Sequence, residues 1–340
     1  MSALAAVSIA ESPQAAGAAG EKEIEFLTSG STGEPVRWLR TASQLRAEAE
    51  VLVAQCAAAT ADGVISYAPP RHLYGYLMGL EVPRLLDVPC LLSALMEPPA
   101  LALARLRHPV VVAVPAAFAV LERAVTAFDR AERVTLVHSS ALLPPTALRL
   151  LARLGPRARL IELFGSTETG LIATRESGRG DWTLAPDVRF ADRGAGKPGS
   201  GGPGPHTLLH VSSQRLARLP GQAFPEAIQT DDVVSVLDDR SFRWHGRRGR
   251  LVKINGLRVN LDAIRARLAD AVPLVPVDCV PETDEVRGEW YSVVATTADP
   301  SALRQVEEAV LALPGPQRPR TVRPVRPAGP GHCENGDRCG

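Results

Sequence analysis

Arg159-Leu160-Ile161-Glu162-Leu163-Phe164-Gly165-Ser166-Thr167-Glu168-Thr169-Gly170 is a short apolar run that empties into a loop of glycines, hydroxyls and one carboxylate. Residues 159–163 read as a strand and 164–170 as the loop at its carboxyl end. The chain upstream repeats the pattern. Val110 to Val114 suits a strand buried on both faces, and Ala116 to Phe128 reads as a helix. Val134 to Val137 is a strand that stops at His138-Ser139-Ser140, after which Pro144-Pro145 opens a helix to Leu154. Val64 to Tyr67 is a strand that runs into Pro69-Pro70-Arg71-His72. This alternation predicts an α/β fold with a mostly parallel sheet and helices on its faces. Each chemically unusual loop falls at a strand's carboxyl end, where such folds keep their binding residues. His72 has that address; a packed surface histidine is the alternative.

Toward the amino terminus, Ile24 to Leu27 delivers a strand into Thr28-Ser29-Gly30-Ser31-Thr32-Gly33-Glu34-Pro35. Hydroxyls, with glycines that let backbone amides come close to a ligand, suit phosphate. No Gly-Lys-Ser/Thr follows, so it is not a Walker loop. Thr41 or Ser43 caps a helix to about Ala59, with Leu45, Ala49, Leu52 and Val53 at helical spacing.

Toward the carboxyl terminus, Gly194 to His206 reads as a flexible connection. Leu208 to Ser212, Asp232 to Val236 and Phe242 to Trp244 read as antiparallel strands, and Gly246 to Arg250 as a break. Leu251 to Ile254, a helix from Leu261 to Leu268, strands at Val275 to Val280 and Tyr291 to Thr296, and a helix from Ser301 to Leu313 make a small α+β unit. The expected organisation is a disordered leader (1–22), a large domain (23–248), a small lid domain (249–326) and an unstructured tail (327–340).

With 340 residues, 45% of them apolar, the chain can bury substantial cores. Its net charge of +1 offers no broad basic face for nucleic acid or an anionic membrane. No apolar run approaches the roughly eighteen residues of a membrane span. The leader has no basic start and is interrupted by Glu11, so it does not read as a signal peptide. Five scattered cysteines point to a reducing cytoplasm. Arginine dominates the basic residues; the lysines are Lys22, Lys197 and Lys253 alone.

In this order, Thr28 to Gly33, Phe164 to Gly170, Thr230-Asp231-Asp232, and Gly246-Arg247 through Lys253-Ile254-Asn255-Gly256 resemble the signature series of the AMP-forming acyl and aryl ligases. That superfamily includes acyl-CoA synthetases and peptide-synthetase adenylation domains. The resemblance runs from Ile24 to about Thr296 and is most specific at Gly165 to Gly170. It implies an ATP-dependent enzyme that makes an acyl-adenylate from an aryl or fatty carboxylic acid. The acyl group then passes to a thiol, either coenzyme A or the phosphopantetheine of an acyl carrier protein. It further implies that Thr28, Ser29, Gly30, Ser31, Thr32 and Gly33 wrap the β- and γ-phosphates. Phe164 and Gly165 would lie against adenine, with Ser139 and Ser140 on the other side. Thr167 would bond the α-phosphate, Glu168 hold Mg²⁺, Asp232 accept from the ribose, and Arg247 donate to ribose or phosphate. His72 would border the acid. The segment 246–262, a shortened middle region and Trp182 look nearest to the ligases of aryl-polyene and related pigment pathways, within secondary metabolism.

The sequence departs from that pattern in several places. Fewer than thirty residues precede Thr28, where the family has much more. Val36 stands where a lysine follows the loop proline, with Arg37 beside it as a substitute; Gly249 stands at the hinge, and Asp231 replaces a glycine. The family's last lysine is absent, since none follows Lys253. Lys253 and His332 of Gly331-His332 are the candidate catalytic stand-ins. His332, Cys333 and Cys339 make a weak metal pattern. These departures sustain a second expectation, a weakened nucleotide-binding homologue serving as a scaffold or competent only in thioester formation.

Overall fold

The computed structural model describes residues 15–16, 21–29, 35–93, 100–139, 143–177, 180–191, 206–248, 251–254, 257–284 and 288–325. Its centre is an eleven-stranded sheet. Five neighbouring strands, Cys90–Leu92, Gly63–Ser66, Pro109–Ala113, Val134–His138 and Ala158–Ser166, are parallel. Gly170–Glu176 then turns back against Ala158–Ser166, and five more strands continue the sheet antiparallel. The parallel part is where strand and helix alternate in the sequence; the antiparallel strands read beyond residue 206 extend the same sheet.

Two-residue periodicity divides the core into two layers. Val110 and Val112 pack with Leu45, Ala49 and Leu52 of helix Ala42–Gln55. Val111 and Ala113 face the other way, onto Phe118 and Leu121 of helix Pro115–Arg123 and Leu150 of helix Pro145–Leu154. The helix expected over 116–128 stops at Arg123 and continues as a separate 3-10 turn, Val125–Phe128.

Beside the sheet, Glu23–Ser29 pairs antiparallel with Pro35–Thr41. Ala15 and Ala16 pair with Ile24 and Glu23, so the stretch expected as a disordered leader contains a short strand; the open edge of the hairpin offers unpaired backbone groups. Thr41 caps the following helix as expected. Its hydroxyl accepts from the Gln44 amide while the Gln44 side chain accepts from the Thr41 N–H.

At the carboxyl end, the hairpin Leu251–Ile254 and Leu257–Asn260 leads into helix Leu261–Ala271. Strands Val277–Asp284, Gly288–Thr296 and Thr321–Val325 form a further sheet, with helix Pro300–Leu311 packed on it. Val252, Leu261, Leu268, Cys279, Tyr291 and Val306 build a separate core there. Among the described residues no helix is long and apolar enough to cross a membrane.

Candidate active site

The Ser166 to Gly170 turn is a β-hairpin bend held by its own hydroxyls. Thr169 Oγ1 accepts from the Ser166 amide at 3.1 Å and lies 2.8 Å from Ser166 Oγ. Two glycines make the geometry possible. A Cβ on Gly165 would lie 2.0 Å from the Gly170 carbonyl oxygen. Gly170 itself has φ +68°, and a Cβ there would meet Glu48 Oε2 at 2.5 Å and the Arg40 guanidinium at 2.6 Å.

The bend borders a cavity of about 150 Å³. Thr28, Ser139, Ser166, Thr167 and Glu168 bring hydroxyls and a carboxylate to its lining. Leu27, Leu52, Leu73, Leu77, Val114 and Leu163 make much of the rest of it apolar, with His72 and Phe164 also on the lining. Of the residues singled out from sequence, Thr28, His72, Ser139, Phe164, Gly165, Thr167 and Glu168 thus meet at one place. Phe164 is fixed by Trp182, with ring centroids 5.0 Å apart, and by Phe242 at 5.4 Å. Trp182 is capped in turn by Arg175, 4.3 Å from its ring centre.

Asp232 and Arg247 come together away from that lining, as cross-strand partners in the antiparallel part of the sheet. Asp232 Oδ1 accepts from Arg247 Nε at 2.8 Å and from Trp244 Nε1 at 3.0 Å. Lys253 lies in strand Leu251–Ile254 opposite Arg258. Gly30, Ser31, Thr32, Gly33, Ser140, Gly249 and His332 lie outside the described residues, as do the leader outside residues 15–16 and 21–22, and the tail 327–340. Ser29 is described by its backbone, opposite Pro35.

Arg37 is not among the residues of the cavity lining; its exposed guanidinium is paired to Glu25 of the neighbouring strand. Asp231 carries no left-handed strain, because it continues the extended strand Ile228–Val236; among the described residues only Ala57, Asp87 and Ser177 combine a side chain with positive φ.

Sequence reasoning missed the layer beneath the bend. Arg40, Glu48 and Arg215 are 0%, 1% and 2% exposed. Glu48 Oε2 lies 2.5 Å from one Arg40 terminal nitrogen and 3.2 Å from Arg215. Glu48 Oε1 accepts from the Leu171 amide at 2.6 Å, and Arg215 donates to the Leu171 carbonyl at 2.9 Å. Arg40 also donates to the Arg215 carbonyl, and Asp187 receives both Nε and a terminal nitrogen of Arg215, at 2.6 and 2.9 Å. Burial by itself would raise the Glu48 carboxyl, but the charges of Arg40 and Arg215 hold it below the usual carboxylate range. Burial likewise opposes the Asp187 carboxylate, and its bonds from Arg215 bring it down. The one signal available in the sequence was Glu48 on the apolar stripe with Leu45, Ala49 and Leu52.

A family model described as AMP-binding enzyme matches residues 25–220, more than half of the chain. The chain belongs to this family. The 4-coumarate–CoA ligase of Halorhodospira halophila is 30% identical over 312 residues, 88% of this chain and 71% of that protein. Among solved structures, a malonyl-CoA ligase ternary product complex with methylmalonyl-CoA and AMP bound superposes with a TM-score of 0.67 at 23% identity, covering 90% of this chain and 71% of the other. The amide bond synthetase McbA from Marinactinospora thermotolerans gives 0.66 at 19%, covering 90% and 66%. At these identities the structures establish the fold, while family membership makes the chain an AMP-forming ligase of the AMP-binding enzymes.

Proposed function

We propose that this AMP-binding enzyme activates an aryl or fatty carboxylic acid with ATP as an acyl-adenylate and transfers the acyl group to coenzyme A or a carrier-protein phosphopantetheine. The observation that carries this is one cavity lined both by Thr28, Ser139, Phe164, Thr167 and Glu168 and by apolar residues with His72. The hydroxyls suit the phosphates of a nucleoside triphosphate, and the apolar residues suit an aryl or alkyl tail.

Within this scheme Thr28 begins the phosphate loop, Thr167 donates to the α-phosphate, and Phe164, braced by Trp182, offers a flat face to adenine. Asp232 binds the ribose hydroxyls, its orientation set by Trp244 and Arg247. His72 borders the acid. The donor set fits Mg²⁺, a hard cation bound through one or two carboxylates and phosphate oxygens: Glu168 lies among the Ser166 and Thr167 hydroxyls on the cavity wall. Magnesium bound there would neutralise charge on the phosphates as the acid's carboxylate approaches. Residues 249–326 act as the lid, and Lys253 and His332 share the role of the family's missing lysine.

Acid-dependent pyrophosphate exchange, run over a panel of aryl and fatty acids, tests the scheme. Exchange with one or more acids is expected. Nucleotide binding without exchange, combined with thioester formation from synthetic acyl-AMP, would favour the alternative of a chain competent only in the second half-reaction.

A further inference from the structure

We propose that Arg40, Glu48, Arg215 and Asp187 form a positioning device for the Thr167–Glu168 bend, setting where Glu168 sits against a magnesium-bound nucleotide; the proposal rests on Glu168 as the metal-holding residue. The residue that follows the bend is gripped through its backbone. Leu171 gives its N–H to Glu48 at 2.6 Å and its carbonyl accepts from Arg215 at 2.9 Å. The Glu168 carbonyl accepts from the Ala217 amide at 2.9 Å, two residues beyond Arg215. Arg215 is itself fixed by Arg40 on its carbonyl and by the Asp187 fork on its guanidinium. Gly170 can have no side chain because Arg40 and Glu48 fill that space.

The charge balance is equally informative. Two guanidiniums and one carboxylate are sealed, and the second carboxylate, Asp187, is 35% exposed at its side chain. A core that needed only packing would be served as well by apolar side chains of the same volume, since burying ions is costly. The ions therefore do what apolar groups could not: they bond the backbone of the bend. These four are positioning residues, because none is argued to touch the reacting atoms.

The test measures ATP affinity by calorimetry with magnesium and with chelator, and hydrogen exchange over residues 168–171, in the parent, Asp187→Asn, Glu48→Gln and Glu168→Gln. Asp187→Asn keeps an oxygen acceptor for Arg215 at a partly exposed position, so it remains informative if Glu48→Gln does not fold. We expect Asp187→Asn to lose about tenfold or more of the magnesium-dependent gain in ATP affinity, the usual consequence of removing an outer partner of a metal ligand. Its affinity for AMP in chelator should stay at the parent value, and exchange at Leu171 should quicken. Faster exchange with the magnesium-dependent gain intact would reduce the cluster to scaffolding and overturn the proposal. Unchanged exchange and unchanged gain would overturn it as well. If Glu168→Gln itself keeps the gain, the assignment of Glu168 falls, and the proposal with it; if Glu168→Gln loses the gain while Asp187→Asn keeps it, the proposal alone falls.

Discussion

Glu48 and Asp232 are both paired with arginine, in different settings. Glu48 is sealed between Arg40 and Arg215, with side-chain exposures of 2%, 0% and 2%. Asp232 is itself buried but meets Arg247 at 2.8 Å, and that arginine's side chain is 16% exposed. All the strong contacts of Glu48 are internal, to guanidiniums and to the backbone of Leu171. Asp232 has both known contacts on Oδ1, from Trp244 and Arg247. A sealed ion pair fixes a shape, whereas a pair at a rim can exchange a bond with an incoming molecule.

The largest effect that would sharpen this contrast is on folding. Glu48→Ala leaves two buried guanidiniums without their shared counter-ion, and we expect a loss of about 3–5 kcal/mol in urea unfolding. A loss below about 1 kcal/mol would put Glu48 in the same class as an exposed pair. Next in size, Asp232→Ala should cost about 1–3 kcal/mol of nucleotide affinity by calorimetry, the range for a lost charged hydrogen bond, with a smaller effect on unfolding. Unchanged affinity would erase the contrast from the other side. His72→Ala should alter which acids support pyrophosphate exchange while leaving AMP affinity close to the parent's. The smallest expected effect concerns acid. Because the folded Glu48 and Asp187 carboxyls titrate below their unfolded values, they stabilise the fold above the ordinary carboxylate range. That stability is lost as pH falls through the lowered values. The acid limb of a melting-temperature profile should therefore be shallower in Asp187→Asn than in the parent.

Much of the site was legible because its chemistry is written in contiguous residues. The strand and bend from Arg159 to Gly170, the Thr41 cap and the neighbouring Asp232 and Arg247 strands each follow from local pattern. Strands Gly170–Glu176 and Trp182–Leu184 were not legible: the first begins immediately after the glycine-rich bend and the second is three residues long. Thr321–Val325 contains Pro324, which argues against a strand, yet it pairs in parallel with Gly288–Thr296 at the sheet's edge. The layer of Arg40, Glu48, Arg215 and Asp187 was hidden for a different reason. Arg40 and Arg215 are 175 positions apart, and nothing in the spacing of either reveals the other. Arg37, by contrast, was read from its place after the loop as a substitute for a lysine, and its pairing with Glu25 on the neighbouring strand was not visible in the sequence.

That separation along the chain also sets a schedule. During synthesis at about 5–20 residues per second, Glu48 leaves the ribosome roughly ten to thirty seconds before Arg215 does. Until then, one of the two cations that balance it does not exist, and the first hairpin lacks the backbone pairing of Leu39 with Arg218. The nascent chain should remain open to protease around residues 40–55 through that interval and close when the 215–218 segment arrives. Pulse proteolysis of stalled chains ending before and after this segment would time the closure.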